Sequence, residues 1–408
     1  MANTPTTIAS RFKQKFNKEI SQVVPITADI IRRCEFRKDL ETGASAEFDV
    51  QLSLENGFSQ GTGKFALNGS VDQVAKRASV TGYSLILQSE VSYDAVTRAK
   101  GDDKAFARFA SSKFIPMLDS FRNREEYHAM MGRHTGLGRV TGNSSGVLTI
   151  RADTWIPTLA ASSVGATIVA YDAAMAATTA GGAQHNGDLT ITAVDVDNRT
   201  ITVSGTNAAI VSGDYLYFKG DYSTSSRIGL LATGLNSGTL WGIDASAYPL
   251  WRGNSYTMTT YLTLGHILAA AAKSAAKGCA GVKLVCHVPV DAFQRLVNDE
   301  AALVRHKASK ELENGAEKLS FMGASGQIEV VPHLYLPNGY SVLWPEDFTY
   351  ILGSQEATNQ LDPNTGDEVH TVPGFSTKEM RMFSDTCGVF CEKPGFITVI
   401  SRSDNGVL

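Results

Sequence analysis

At 408 residues, with 43% hydrophobic and 19% charged residues and a formal net charge of -4, the chain has the composition of a folded protein with a sizeable core. No run of about eighteen apolar residues occurs, which excludes a membrane-spanning helix, and the opening MANTPTTIASRFKQKF has no apolar signal core, so secretion by that route is not expected. The five cysteines (Cys34, Cys279, Cys286, Cys387 and Cys391) are scattered and odd in number, which suits a reducing compartment better than a disulfide scaffold.

The first segment is basic. Through Lys38 it holds eight basic residues (Arg11, Lys13, Lys15, Lys18, Arg32, Arg33, Arg37, Lys38) against Glu19, Asp29 and Glu35, a net of +5. Residues 8 to 33 read as a helical arm interrupted at Pro25. Such an arm contacts nucleic acid or an acidic partner, or is a solvated amphipathic helix. Next, ASAEFDVQLSLENG alternates, with Phe48, Val50, Leu52 and Leu54 on one face of a strand. A glycine-rich tip follows (Gly57, Gly61, Gly63, Gly69). The run VAKRASVTGYSLIL then alternates again, with Val74, Lys76, Ala78 and Val80 on one face. Two strands around such a tip predict a long hairpin too polar at its end to pack on its own core, so it projects.

From Asp102 to Met131 the period becomes helical. Phe106, Phe109, Ala110, Lys113, Met117, Phe121 and His128 trace one stripe, widened by Phe114 and Leu118. At 1.5 Å per residue the helix is roughly 45 Å long, with a kink expected at Pro116. Behind it comes HAMMGRHTGLGRVTG, whose glycines raise the question of a phosphate loop. Phosphate loops follow a strand and precede a helix, so that the helix N-terminus faces the anion. Here the order is reversed, the spacing Gly136, Gly138, Gly142 misses G-x-G-x-x-G, and no G-K-[ST] is present. Gly132 fits the left-handed residue that ends a helix. The stretch reads as a helix exit.

About a hundred residues of short strands follow: SGVLTIRA, GATIVAY, DLTITAVDVDNRTITVSG and GDYLYFKGDY, with a hairpin turn at Asp197 and Asn198. This reads as a compact β subdomain, and residues 220–255 as glycine-rich loops. YTMTTYLTLGHILAAAAKSAAKG predicts a helix ended by Gly278, GVKLVCHVP a buried strand, and VDAFQRLVNDE a short helix. QIEVVPH, YSVLW and DFTYILG read as strands, residues 353 to 374 as a polar loop, and TKEMRMFSDTCGVFCEKP and FITVISR as two long strands in a hairpin turned at Pro394-Gly395. The fold class is α+β, without a βαβ repeat.

Catalytic and metal chemistry finds no constellation. Cys387 and Cys391 are four apart but lack a second pair, and read as core thiols. His266 reads as a satisfied core histidine. His287 and His333 both end strands and could meet. Asp195 and Asp197 sit at a turn, and Asp102-Asp103 caps the long helix. No nucleophile elbow, H-E-x-x-H or EF-hand loop occurs. Nothing marks an enzyme, a metal site or a cofactor site.

The order of elements resembles the major capsid protein of tailed bacteriophages, the Hong Kong 97-type fold. The resemblance is carried by VAKRASVTGYSLILQSEVSYDAV leading into helix 102–131, by GRHTGLGRVTG as the exit from a spine helix, by DLTITAVDVDNRTITVSGTNAAIVSGDYLYFKGD as a β segment, by VKLVCHVPVDAFQRLV and QIEVVPHLYLP, and by GVFCEKPGFITVISR. It implies an N-terminal arm over 1–40, an extended β-hairpin loop over 41–90 and a peripheral domain with its spine helix over 91–132. A β-rich segment over 133–255, an axial domain over 256–345 and returning C-terminal strands over 346–408 complete it. It implies self-assembly of hexamers and pentamers into an icosahedral shell enclosing double-stranded DNA, formed in the bacterial host cytoplasm and located in the virion. The implied subunit contacts are Phe58, Gly61, Gly63, Lys64 and Phe65 on the loop and Arg11, Lys13, Lys15, Arg32 and Arg33 on the arm. Implied partners are a portal, a separate scaffolding protein, a decoration protein, and DNA held weakly, since a net charge of -4 supports only salt-sensitive phosphate contacts. Some members cross-link a loop lysine to a neighbour's asparagine; Lys64 sits at the tip, but no asparagine matches the partner position, so no cross-link is expected. Alternatives are an encapsulin-type nanocompartment, which shares the fold, a receptor-binding or adhesin module, and a hydrolase with unrecognised Ser, His and Asp.

Overall fold

The stripe of apolar residues after Asp102 folds into one helix, Asp103–Met130, that runs through Pro116. In this computed structural model the described residues are 28–38, 45–92, 103–133, 136–174, 182–223, 226–298, 312–313, 316–317, 319–323, 325–359, 370–371, 377–404 and 406–408. Of the predicted stripe, the side chains from 106 to 114 lie outside this description, whereas Met117, Phe121 and His128 are buried. Met117 and Phe121 pack on Met380 and Met382 of the strand Thr377–Thr386 and on Leu85 and Leu87 of the strand Tyr83–Ser92. The two strands pair antiparallel from Thr377↔Ser92 to Thr386↔Tyr83. Alternation explains the choice of residues: Leu85 and Leu87 turn to the helix, and Ile86 between them stays exposed. Full burial of a side chain such as Phe121 contributes about 1.5–3 kcal/mol. The sheet extends through Thr349–Asn359, antiparallel and bulged, to Glu35–Arg37, which is parallel to it.

Gly132 ends the helix with φ +55°, and a Cβ there would lie 2.1 Å from the backbone nitrogen of Gly229, so no other residue fits. The helix-exit reading of GRHTGLGRVTG is correct but incomplete. From Gly138 to Ser144 the same stretch is a strand. It completes a closed barrel in the order Tyr215–Phe218, Gly138–Ser144, Val147–Ile150, Thr200–Ser204, Leu189–Asp195 and Thr167–Tyr171, which pairs back to the first. Leu148, Ile150, Ile168, Leu189, Ile191, Ile201 and Leu216 fill its interior. Closure leaves the barrel no free sheet edge. The turn after Asp195 is built as expected. Its carboxylate accepts hydrogen bonds from the Asn198 side chain and the backbone of Asp197 and Asn198, and the Asn198 amide foremost holds it below its ordinary pKa.

A second sheet runs in the order Asn254–Met258, Thr398–Arg402, Tyr340–Pro345, Leu284–Val288, Gly326–Pro332, Leu319–Gly323. Leu284–Val288 is buried throughout because both faces are covered. Leu284, Cys286 and Val288 face the helices Leu264–Ala275 and Val290–Asn298, while Val285 faces the core shared with the long helix and barrel. Here several expectations are corrected. Tyr256–Met258 is strand, and the helix starts at Leu264 because Thr263 caps it, its side chain accepting from His266 N while His266 Nδ1 accepts from Thr263 N. His266 is therefore a half-buried capping residue, not a core histidine. Thr377–Thr386 and Thr398–Arg402 do not form a hairpin; they belong to different sheets, separated by the short turn Pro394–Phe396. The polar loop begins later than predicted, since the strand from Thr349 continues to Asn359; residues 360–369 and 372–376 of it lie outside the described residues. Residues 220–255 are not simple loops either: Leu230–Gly234 is a buried helical turn, and Leu240, Trp241, Ile243 and Trp251 are buried.

The glycine reading yields a paired test. Gly132→Ala is expected to lose more than about 3 kcal/mol of stability in urea unfolding, through backbone strain and collision. Gly142→Ala, whose Cβ enters open space, is expected to stay within about 0.5 kcal/mol of the parent.

Candidate assembly surfaces

The strands Ala46–Gln51 and Ala75–Val80 pair antiparallel with each other, with Ala46 opposite Val80 and Phe48 opposite Ala78. Ala46, Leu52, Ala78 and Val80 are buried and the intervening charged residues exposed, so the predicted alternation holds at the root of the hairpin. It fails beyond. Leu54, expected on the buried face, is 72% exposed because the strand stops at Gln51. The second run also divides at Thr81-Gly82, after which Tyr83 enters the helix-bearing sheet.

Residues 52–74 form no strand, but they are not shapeless. Leu52 N donates to Val74 O, Asn56 N to Val71 O, and the Asn68 side chain to Phe58 O at 2.7 Å. Gly63 has φ +73°, and a Cβ on Gly61 would collide with the Phe65 ring. This geometry holds apolar side chains in water: Phe58 is 83% exposed, Leu67 79%, and Phe65 and Val71 about half, with Lys64 exposed between them. Phe58, Gly61, Gly63, Lys64 and Phe65 all lie in this exposed segment. Leu54, Leu67 and Val71 join them; Leu54 had been placed on the buried face, and Leu67 and Val71 carried no mark in the sequence. The concentration of Phe and Leu in a segment without strand or helix periodicity was the available signal. Exposed apolar side chains in this number make the segment a candidate interaction surface.

Of the arm residues, Arg11, Lys13 and Lys15 lie outside the described residues, and Arg32 is exposed. Arg33 is engaged within its own chain, with Asp29 at 3.0 Å, Glu329 at 2.8 Å and Glu346 at 3.3 Å. Burial alone would lower its pKa, but the Glu329 bond and the three carboxylate charges outweigh that and hold it charged. Lys283 bridges Glu329 and Glu346 from the other side.

Beside this network lies a buried polar joint. The short helix Asp29–Arg33 has Ala28 at its N-cap and no capping side chain of its own. Glu126 of the long helix, fully buried, supplies the cap: its carboxylate accepts from Ile30 N at 2.8 Å and Ile31 N at 3.1 Å. It also accepts from His333 Nε2 at 2.9 Å, while His333 Nδ1 accepts from Tyr335 N, which assigns the ring hydrogen to Nε2. His287 and His333 do meet, with ring centroids 5.0 Å apart. His287 stacks on Trp344, its Nε2 is 3.7 Å from Asp29, and neither ring nitrogen has a hydrogen-bond partner among the described residues. Burial first, with the Arg33 charge nearby also acting, pushes its pKa well below 6.5. Glu126 was not singled out in the sequence, where an acidic residue late in a helix carries no mark of its partners.

The described residues contain no group of three or more His, Cys, Asp or Glu able to hold a metal, and no helix long and apolar enough to cross a membrane. All five thiols are buried and free; burial pushes Cys286, Cys387 and Cys391 up to about 12. Cys387 and Cys391 do not share a strand, and they enter two separate core clusters.

No family model matches the sequence, and no curated protein matches it. Solved structures do. A chain of the capsid asymmetric unit of cyanophage A-1(L) superposes with a TM-score of 0.57 at 13% identity, covering 98% of this chain and 99% of that one. A chain from the capsid of an empty GTA particle gives 0.51 at 9% identity, covering 98% and 97%. At these identities the likeness establishes a shared fold over nearly the whole chain.

Two measurements check the joint. Glu126→Ala leaves two buried donors and one half-buried donor unpaired and is expected to lose at least about 3 kcal/mol in urea unfolding, with Glu126→Gln losing less. For His287, the unfolded chain takes up a proton near pH 6.5 and the folded chain only at lower pH. Its stabilising effect is therefore complete above that pH and declines below it, by at most about 1.4 kcal/mol per pH unit. The stability difference between wild type and His287→Leu is expected to shift in the variant's favour as pH falls from 7 to 5, and a constant difference would refute the assignment.

Proposed function

We propose that this chain is a major capsid protein of the Hong Kong 97 type, which self-assembles as hexamers and pentamers into the icosahedral shell of a tailed bacteriophage. Its role is structural rather than catalytic. The observation that carries the reading is the hairpin: apolar side chains from Leu54 to Val71 are held outward on a 45–80 projection whose core lies only at its root. A monomer has no use for that surface, whereas a second copy can bury it, and repeated head-to-tail burial of one element by the next closes into rings and shells. The capsid folds that the chain shares support the same reading. In this account 41–90 is the extended loop, 1–40 the arm, and the long helix with its sheet the peripheral domain. The sheet from Asn254 to Arg402 with its two helices is the axial domain, and the barrel elaborates residues 133–255. A portal, a scaffold and a decoration protein are the further partners of such a shell, and packaged DNA is contacted weakly.

Negative-stain electron microscopy and sedimentation velocity of the purified protein, alone and with a phage scaffolding protein, test the proposal. Closed shells, tubes or capsomers are expected. Deleting residues 55–72 is expected to leave a folded subunit that forms none of them; normal particles from the deletion, or a monodisperse monomer from the intact chain, would overturn it.

A further inference from the structure

The body of the subunit touches its hairpin through very little backbone. Among the described residues, one main-chain hydrogen bond joins residues 45–80 to the rest of the chain, from Ser79 N to Trp241 O at 2.9 Å. The residue that accepts it is unusual. Trp241 and Gly242 are the two central residues of the turn between Thr239–Leu240 and Ile243–Asp244, with φ +49° and +85°. Positive φ at both positions is the type I′ pattern, which favours Asn-Gly. A bulky aromatic in the left-handed region is a genuine outlier and occurs where surrounding structure enforces it. Trp241 shares positive φ with two other non-glycine residues, Ser145 and Arg199, and both of those sit in hairpin turns of the barrel.

What enforces it is an aromatic chain. The Trp241 ring lies 6.1 Å from Trp251, edge to face, and 4.7 Å from Phe390, and Phe390 in turn stacks on Phe48 of the hairpin at 4.8 Å. Trp251 Nε1 donates to Leu240 O, tying the turn to the same cluster. One strained residue thus serves two of the hairpin's contacts: its carbonyl takes the Ser79 N–H, and its ring supports the Phe390 ring on which Phe48 stacks. Ala46, Ala78 and Val80 close the same cluster, and the hairpin leaves it through Thr81-Gly82.

We infer that Trp241 is the positioning residue of the hairpin, seating its root on the body through this strained turn, so that release of the Ser79 bond or of the ring unseats the hairpin and lets its two-stranded ladder open more often. The inference concerns one subunit and stands apart from assembly. Its bearing on shell contacts rests on the function proposed above.

Hydrogen–deuterium exchange on the unassembled full chain tests it. Ser79→Pro removes the donor without removing a ladder bond, because that N–H points away from the partner strand. In it, exchange over 46–51 and 75–80 is expected to rise about five- to tenfold, the equivalent of one hydrogen bond lost. The long helix and the sheet from Asn254 to Arg402 keep wild-type exchange. Trp241→Asn, which suits the turn but lacks the ring, is expected to loosen the hairpin likewise, and Trp241→Phe and Ser79→Ala to match wild type. Unchanged hairpin exchange in Ser79→Pro, or a rise spread through the whole chain, would overturn the inference. Should Trp241→Asn not fold, Ser79→Pro alone decides. Because the readout precedes assembly, a chain that never forms shells can still pass or fail it.

Discussion

The carboxylate of Glu126 is where the separate parts of this fold are tied together. Fully buried, it needs donors from the protein, and two elements supply them, the helix at Asp29 and the strand end at His333, while the long helix that carries it packs on the sheet of Met380 and Met382. A buried anion that is fully hydrogen-bonded holds its partners in one geometry, because each donor would be left unpaired by any displacement. Within two turns the same helix passes into Gly132, whose missing side chain lets the backbone at Gly229 approach. The arm root, both sheets and the barrel are thereby referred to the last turns of one helix.

The hairpin is the exception. Among the described residues it shares no sheet with the body, and its strands make main-chain bonds to each other and, beyond that, one bond to Trp241. Its root is apolar enough to seat, and its far end keeps Phe58 and Leu67 in water. A rigid body and a lightly seated arm with an apolar end form a division of labour suited to contact between copies. The body sets the position of the hairpin's base, and in the proposed shell a neighbour would supply the burial that the subunit's own core does not. The ion network around Arg33 shows the opposite arrangement at the N-terminal segment, where positive charge that could have faced a partner is neutralised at home.

Elements whose signal is local were legible in the sequence. The long helix, the hairpin root, the Asp197-Asn198 turn and the buried strand Leu284–Val288 all follow from periodicity or turn chemistry. What failed depended on distant partners. Gly138–Ser144 read as loop because its glycines and polar residues resemble a linker; it is a strand because barrel closure pairs it on both sides. Thr377–Thr386 and Thr398–Arg402 read as a hairpin because they adjoin in sequence, yet each is claimed by a different sheet. The candidate surface was half legible. Its glycines and Lys64 stood out, while Leu54 was misplaced by an alternation that stops at Gln51 and Leu67 lay unmarked in the glycine-rich tip. Glu126 and Trp241 were invisible, since one is defined by donors about a hundred and two hundred residues away and the other by a backbone angle that tryptophan rarely adopts.

The account stands on the apolar end of the hairpin being covered by another copy of the chain. Hydroxyl-radical footprinting of assembled particles against unassembled subunits reads this directly at Phe58 and Leu67, with buried Phe121 as the internal reference. Strong protection of Phe58 and Leu67 on assembly, at constant Phe121 labelling, is the predicted result. Equal labelling in both states would mean that the hairpin faces solvent in the particle, and would contradict the central claim.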